Sequence, residues 1–184
     1  MAKKTLTCKK LYTGRTIGTG EGLFAKENFK TGDLIFTWEG VLKKGRYPYY
    51  VGHRWLQIEK CQWIAPFRNN PGWYINHSCN PNSGIKNSVQ IVAIKNITRG
   101  EEVTFDYSTS ESENEWNLKC HCKNKNCRGI IRSYKFLSLE LKLKYRDLIS
   151  EYLKWFSICT NLDDNNGKLT VMSTMEDKKI IQRT

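Results

Sequence analysis

Three cysteines crowd into one short segment of this chain of 184 residues, where Cys120, Cys122 and Cys127 lie within eight positions. The chain has seven cysteines in all, an odd number that suits thiolate ligands better than a framework of disulfides. Thiolates at this spacing are typical of a tetrahedral zinc ion, which needs four donors. We therefore predict that this segment folds around a metal ion and takes one further ligand from elsewhere.

Cys79 is the best candidate for the fourth ligand, because it lies in a polar loop that is expected to be accessible. His121 competes for the position, but it lies between two ligands and would strain to turn the same way. The other three cysteines lie in segments where a small buried apolar side chain is the expected role. These are Cys8, Cys61 and Cys159.

The composition predicts one domain with room for an appended element, since 39% of the residues are hydrophobic. The first residues lack the apolar core of a signal peptide, and no run of about 20 apolar residues could span a bilayer. We expect a soluble protein made in a reducing compartment. The formal charge of +12 indicates either acidic partners, such as nucleic acid, or a solvated surface rich in lysine.

Residues 16–107 alternate glycine-rich turns with short apolar runs, for example at 34–38 and 89–94, and this pattern predicts strands. Two segments, 25–33 and 93–101, resemble each other and each contains a turn glycine, Gly32 or Gly100. The fold class is therefore predicted to be mainly β, in the sense of a β-rich α+β protein.

The pattern changes after Gly129, where apolar residues recur at intervals of three and four and predict one face of a helix. These residues are Tyr134, Leu137, Leu141, Tyr145, Leu148, Tyr152 and Trp155. We therefore divide the chain into a main domain at 1–131, a helical extension at 132–159 and a flexible tail at 160–184.

Three further motifs carry residues suited to binding or chemistry. The closely spaced glycines of the segment 19–25 let a backbone approach a ligand, although a tight turn has the same pattern. The loop 76–82 is dense in polar side chains, and His77 there is either functional or a satisfied structural histidine. The segment 100–107 reads as a strand with Phe105 and Tyr107 on one face, where Tyr107 is either catalytic or a core aromatic.

Taken in this order, the motifs resemble those of the SET-domain lysine methyltransferases, in particular the small stand-alone members. The resemblance runs from about Gly18 through Ile131, and residues 116–131 resemble the zinc-binding post-SET segment. It implies a fold of several small sheets, with a pseudoknot formed where the chain after Tyr107 passes through a loop, and with a C-terminal helix. Glu21 departs from the family pattern, and no pre-SET cysteine cluster precedes the domain.

The resemblance also implies site residues. Tyr107 would be catalytic and face the transferred methyl group, and a zinc ion would be bound by Cys79, Cys120, Cys122 and Cys127. Walls of a lysine channel would come from Phe105, Tyr50 and Trp73, with Tyr47 and Tyr49 as further candidates. S-adenosylmethionine would contact Gly20, Glu21, Gly22, Leu23, Asn76, His77 and Tyr107, with Trp116 or Leu118 packing on its adenine.

The implied function is transfer of methyl groups from S-adenosylmethionine to a lysine of a protein substrate, up to the di- or trimethyl level. A histone tail or another basic protein fits as substrate, and the expected location is cytoplasmic or nuclear, with export to a host cell also compatible. The alternative is an inactive, zinc-stabilised basic module that binds nucleic acid or chromatin. The joint presence of Asn76, His77 and Tyr107 favours the enzyme.

Overall fold

The computed structural model describes residues 6–16, 20–45 and 54–154, and in them the chain forms mainly short strands. The strands are β1 Leu11–Thr16, β2 Gly20–Ala25, β3 Leu34–Thr37, β4 Gly40–Lys44, β5 Leu56–Glu59, β6 Gln62–Pro66, β7 Asn76–His77, β8 Ser83–Lys86, β9 Gln90–Ala93, β10 Thr104–Phe105, β11 Asn117–Lys119 and β12 Ile130–Arg132. The helical elements are 3-10 helices at Pro71–Trp73, Tyr107–Thr109 and Tyr134–Phe136, and the α-helix α1 at Leu139–Tyr145.

The strands of the described ranges form small sheets, which confirms the predicted mainly β fold. Two sheets have three strands, in the orders β4-β6-β5 and β3-β9-β8, and the pairs β1-β2 and β11-β12 are antiparallel. The parallel pair β7-β10 joins distant parts of the chain, with Asn76 opposite Thr104 and His77 opposite Phe105. This pair brings the polar loop beside the segment that ends in Tyr107.

The two similar turn segments lie against each other. Phe29 and Ile97 exchange backbone hydrogen bonds of 2.9 Å in both directions. Gly32 and Gly100 both have positive φ, at 94° and 88°, which a residue with a Cβ rarely adopts. The repeated sequence therefore encodes two equivalent turns that pair across the main core.

The main core is built by inward-facing residues of the sheets and is capped by aromatic side chains, including Phe36, Trp38 and Phe105. A second cluster packs Trp63, Trp116 and Ile131 around the cysteine-rich segment. Burying each such side chain contributes about 1.5–3 kcal/mol of transfer free energy. Both clusters therefore stabilise the loops that lie between them.

The prediction of one continuous helix from Tyr134 was wrong. Instead, the 3-10 helix Tyr134–Phe136 is followed by α1, which starts at the capping hydroxyl of Ser138, and a turn then interrupts the chain before helix resumes at residues 151–154. The backbone N–H of Ser150 donates to the carbonyl of Thr109 over 2.9 Å, so a tertiary hydrogen bond replaces a helical one. The apolar stripe still packs together, around Tyr145 and Leu153.

The predicted strand at 100–107 is also shorter than expected. Only Thr104–Phe105 pairs as a strand, and Tyr107 opens a 3-10 helix whose first turn is capped by Asp106, which accepts from Ser108 N–H over 3.1 Å. Within the described residues, no helix has the length and apolar character needed to cross a membrane. Tyr47, Tyr49, Tyr50, Trp155, Cys159 and the segment 160–184 lie outside the described residues, and the threaded pseudoknot stays a prediction.

Candidate active site and metal centre

His77 is fixed by hydrogen bonds on both ring nitrogens. Its Nδ1 accepts from the backbone N–H of Tyr107 over 3.2 Å, and its Nε2 lies 3.3 Å from Cys79 Sγ. Burial and the nearby charge of Arg128 lower the pKa of His77 to about 3, so the ring is neutral. The proton then resides on Nε2, and the 3.5 Å approach of Nδ1 to Asp106 is not an ion pair.

Asn76 ties the glycine-rich strand β2 to the site. Its Nδ2 donates to the carbonyl of Glu21 over 3.0 Å and to Glu102 Oε1 over 2.8 Å. Gly22 lies directly beside it, where an added Cβ would overlap the side chains of Thr16 and Glu102. Any larger residue would have to displace these side chains, which explains one of the closely spaced glycines.

A cavity of about 530 Å³ opens between β2, the 3-10 helix Pro71–Trp73, the polar loop and the cysteine-rich segment. Its volume lies in the range of small-molecule sites. The lining combines backbone near Gly20 with aromatic, polar and basic side chains: Glu21, Trp38, Arg54, Trp73, Tyr74, Asn76, His77, Tyr107, Leu118, Lys119 and His121.

A second, narrow cavity of about 20 Å³ is also lined by Tyr107. Five of its eight lining residues are aromatic, and the complete lining is Trp38, Trp55, Leu56, Phe105, Tyr107, Ser110, Glu111 and Trp116. Tyr107 and Trp38 line both cavities. The two cavities therefore meet at these side chains.

Tyr107 is held in a defined orientation between the cavities. Its hydroxyl donates to the carbonyl of Ile75 over 2.7 Å, and its ring centroid lies 5.0 Å from that of Phe105 and 5.5 Å from that of His77. Phe105 and Tyr107 are thus neighbours, as their predicted common face required. A tyrosine whose hydroxyl is hydrogen-bonded to the backbone and whose ring contacts two neighbouring rings is already ordered, so it loses little rotamer freedom on binding a ligand.

Cys79, Cys120, Cys122 and Cys127 form a cluster whose four sulfur atoms all lie within 4.8 Å of one another. Cys79 and Cys120 Sγ are 3.7 Å apart, and a tetrahedral zinc ion with bonds of about 2.3 Å would hold its sulfurs about 3.8 Å apart. Backbone N–H groups of Arg128 and Gly129 donate to Cys79 and Cys127 Sγ, each over 3.4 Å. Four thiolates supported in this way fit a structural zinc ion.

Two guanidinium groups lie over the ring of Trp73. The Arg54 and Arg68 guanidinium carbons lie 5.0 and 4.5 Å from the ring centroid, within the range of cation–π contacts. Arg54 and Trp73 both line the larger cavity. This arrangement gives the rim of that cavity a positive charge.

Comparison with known proteins identifies the domain that contains these cavities. A family model described as "SET domain" matches residues 20–108. Residues 20–108 form a SET domain. The match begins at the glycine-rich strand and ends just after Tyr107, so it leaves out the cysteine-rich segment and also Ser110, Glu111 and Trp116 of the narrow cavity.

Curated relatives of this SET domain include histone-lysine N-methyltransferase 2B of Homo sapiens, which is 32% identical over 130 residues. That alignment covers 61% of this chain and 5% of the relative. The variant-silencing SET domain-containing protein of Plasmodium falciparum (isolate 3D7) is 30% identical over 145 residues, covering 65% of this chain and 6% of the relative. The chain therefore corresponds to a small part of these much longer proteins.

Solved structures support the SET-type fold. KRYPTONITE in complex with mCHG DNA and SAH has a TM-score of 0.53 at 23% identity, covering 68% of this chain and 29% of that chain. KRYPTONITE in complex with mCHH DNA, an H3(1-15) peptide and SAH has a TM-score of 0.51 at 22% identity, covering 65% and 29%. At this identity the likeness concerns the fold.

Most of the predicted cofactor residues line the larger cavity: Gly20, Glu21, Asn76, His77 and Tyr107 from the SET domain, and Leu118 from the segment that follows it. Three others lie elsewhere. Gly22 lies beside Asn76 and does not line the larger cavity. Leu23 is fully buried in the main core, and Trp116 lines the narrow cavity. Of the predicted channel residues, Phe105 lines the narrow cavity, whereas Trp73 lies on the larger one with the arginines.

The sequence did not predict several of the residues that line the narrow cavity. Trp38, Trp55 and Glu111 carry no local motif, and their place in the narrow cavity depends on contacts between distant strands. One cysteine also differs from expectation, because Cys61 is exposed in the turn between β5 and β6, with a φ of 56°. Cys8 is half-buried against the main core, as predicted, and His121 is exposed outside the thiolate cluster.

Proposed function

We propose that this chain transfers methyl groups from S-adenosylmethionine to a lysine side chain of a protein substrate. The observation that carries the proposal is the position of Tyr107, which lines both the larger cavity and the narrow aromatic one. A methyl donor on one side and a lysine on the other would meet at this residue. Holding two reactants in line removes much of the entropic barrier to their reaction.

The larger cavity fits the methyl donor in volume and in chemistry. Asn76, His77 and the backbone at Gly20 and Glu21 would hold its polar parts, and Leu118 offers an apolar surface for a base. Arg54 at the rim complements a carboxylate. When bound, S-adenosylmethionine supplies a methyl group on a positively charged sulfur.

The narrow cavity fits the lysine. Its walls are mainly aromatic, and desolvation there favours the neutral amine whose lone pair must attack the methyl group. The Tyr107 hydroxyl, oriented by the carbonyl of Ile75, would position the reacting groups. The four cysteines would hold a zinc ion that fixes the wall formed by residues 118–122.

The relatives support a histone or another basic protein as the substrate class, since several are named histone-lysine N-methyltransferases. We propose di- or trimethyllysine as the product, and a cytoplasmic or nuclear site of action. Incubation with labelled S-adenosylmethionine and either whole-cell extract or purified histones, followed by mass spectrometry, tests the proposal. Labelled lysine is expected with the unmodified chain and not with Tyr107→Phe.

The formal charge of +12 is what favours the second candidate, a basic module that binds nucleic acid or chromatin without methylating it. Such a module needs no built cavity for a methyl donor. A rise in the melting temperature on addition of S-adenosylmethionine is expected for the enzyme, because a ligand that binds only the native state stabilises it. Salt-dependent binding of DNA with no such rise would favour the module.

A further inference from the structure

Glu111 is a buried carboxyl group in the wall of the narrow cavity. The residue is 5% exposed, and its Oε1 accepts a hydrogen bond from the backbone N–H of Glu113 over 2.9 Å. Within the described ranges, no lysine, arginine or histidine side chain pairs with it. A buried carboxylate is costly unless a cation pairs with it, so without a partner Glu111 keeps its proton at neutral pH, and a cation bound beside it would favour its ionised form.

The remaining walls of the narrow cavity suit a cation as well. Trp38, Trp55, Phe105, Tyr107 and Trp116 surround it, and aromatic faces attract ammonium groups. Its volume of about 20 Å³ is close to the space of one water molecule, which is also the size of an ammonium group. Aromatic walls with one carboxyl group are therefore complementary to the end of a lysine side chain.

Trp38 supplies a second indication that this cavity receives a ligand. Its side chain is 5% exposed, and its indole N–H has no hydrogen-bond partner in the part of the chain that the structure describes. Buried N–H groups without a partner are rare, and a hydrogen-bond acceptor in the cavity would satisfy this one. Trp38 lines both cavities, so that acceptor would lie near the reaction centre; an ammonium group only donates, and the lysine nitrogen can be this acceptor only as the neutral amine.

Building on the proposed function, we propose that Glu111 receives the substrate lysine, pairing with its ammonium group and accepting its proton before methyl transfer. One proton passes from lysine Nζ to a carboxyl oxygen of Glu111, leaving a neutral amine and a neutral carboxylic acid. The lone pair of the amine then forms the N–C bond as the C–S bond of the donor breaks. The positive charge ends on nitrogen, and the Glu111 proton returns to solvent when the product leaves.

Burial lowers the free-energy cost of this proton transfer. Desolvation raises the pKa of Glu111 to about 8, with the charge of Glu113 acting in the same direction. The same desolvation lowers the pKa of a lysine in the cavity, so the two groups approach each other in proton affinity. Tyr152, whose hydroxyl donates to the carbonyl of Ser110 over 3.0 Å, also faces Glu111 and keeps its own proton because burial raises its pKa.

The deciding experiment uses n-butylammonium as a mimic of the lysine side chain, with n-butanol as its uncharged counterpart. The protein is labelled with ¹³C at the glutamate carboxyl groups, and Glu111→Gln assigns the resonance of Glu111. We expect n-butylammonium, and not n-butanol, to shift this resonance and to lower the pH at which Glu111 titrates. A resonance that responds to both compounds alike, or to neither, overturns the proposal.

A second arm follows methyl transfer to whichever protein becomes labelled by the unmodified chain. Glu111→Gln should lower kcat/KM at least tenfold at neutral pH, and the deficit should shrink about tenfold per pH unit only above the Glu111 pKa of about 8, up to the lysine pKa of about 10. Glu140→Gln, which changes an exposed glutamate of α1, is the control and should keep the normal pH profile, and Glu111→Asp should restore part of the rate. If no protein is labelled, the proposed function fails while the resonance experiment still decides the role of Glu111.

Discussion

Arg128 of the cysteine-rich segment reaches across to Asp106, the residue immediately before Tyr107, and donates from Nη2 to Oδ1 over 2.6 Å. The carboxylate is almost completely buried, and the side chain of Arg128 is 22% exposed. The backbone N–H of the same arginine donates to Cys79 Sγ. One residue thus connects the thiolate cluster to the backbone that positions the candidate catalytic tyrosine.

Replacing Arg128 by glutamine should destabilise the protein by about 3–5 kcal/mol, because the buried charge of Asp106 would lose its counter-ion. Urea unfolding measures this loss. Lys125→Gln, an exposed change in the same segment, should alter stability by less than about 0.5 kcal/mol. If Arg128→Gln and Lys125→Gln had equal effects, the ion pair would not be a structural link.

Each of the four clustered cysteines should be needed for full zinc content. Changing Cys79 to serine replaces a soft thiolate by a hydroxyl, so metal analysis should show less than one zinc per chain. Cys61→Ser is the control, since that thiol is exposed and outside the cluster. Full zinc content in Cys79→Ser would contradict the four-cysteine assignment.

Removal of zinc by a chelator should also weaken binding of S-adenosylmethionine, because Cys120 and Cys122 line the larger cavity.

Tyr107→Phe should abolish or severely slow methyl transfer while S-adenosylmethionine still binds, because only the positioning hydroxyl is removed. The carbonyl of Ile75 loses its donor, which should cost about 1 kcal/mol of stability. Tyr12→Phe, a change on an exposed ring stacked on Phe24, should leave both properties unchanged. Calorimetry and a methylation assay on the same preparations check this, and a near-normal rate would show that Tyr107 is a core aromatic only.

Glu111 should make the stability of the protein depend on pH. Burial raises its pKa from 4.5 to about 8, so between these values the folded state holds a proton that the unfolded state has lost. Stability therefore falls as pH rises through this window, by at most about 1.4 kcal/mol per unit, and this contribution is constant above it. The stability of Glu111→Gln should not show this decrease as the pH rises. Urea unfolding at several pH values tests this, and parallel curves for the two proteins would contradict it.

The sequence was most informative where function depends on neighbouring residues. The cysteine spacing predicted the thiolate cluster, and the loop 76–82 predicted Asn76 and His77 at the larger cavity. It was least informative where distant strands meet. Trp38, the residue after β3, lines both cavities and packs on Phe105 of β10, with the two ring centroids 6.0 Å apart. The interrupted helix was missed for a similar reason, since the acceptor for Ser150 N–H lies on Thr109.

The last prediction concerns the number of methyl groups added, and it depends on Phe105. This residue is 2% exposed, lines the narrow cavity and lies beside the Tyr107 ring. A tyrosine hydroxyl at this position would retain a water molecule beside the lysine nitrogen, in the space that a methylated amine needs to turn for a further transfer.

Phenylalanine offers no such anchor, so the unmodified chain should form di- or trimethyllysine, and Phe105→Tyr should shift the product toward monomethyllysine. Phe36→Tyr, a change in the main core that does not line the cavity, controls for the general effect of a buried hydroxyl. Intact-mass analysis of a fully reacted substrate peptide reports the outcome. Accumulation of only the monomethyl form in the unmodified chain would mean that another wall residue, such as Trp38 or Trp55, limits the space around the nitrogen.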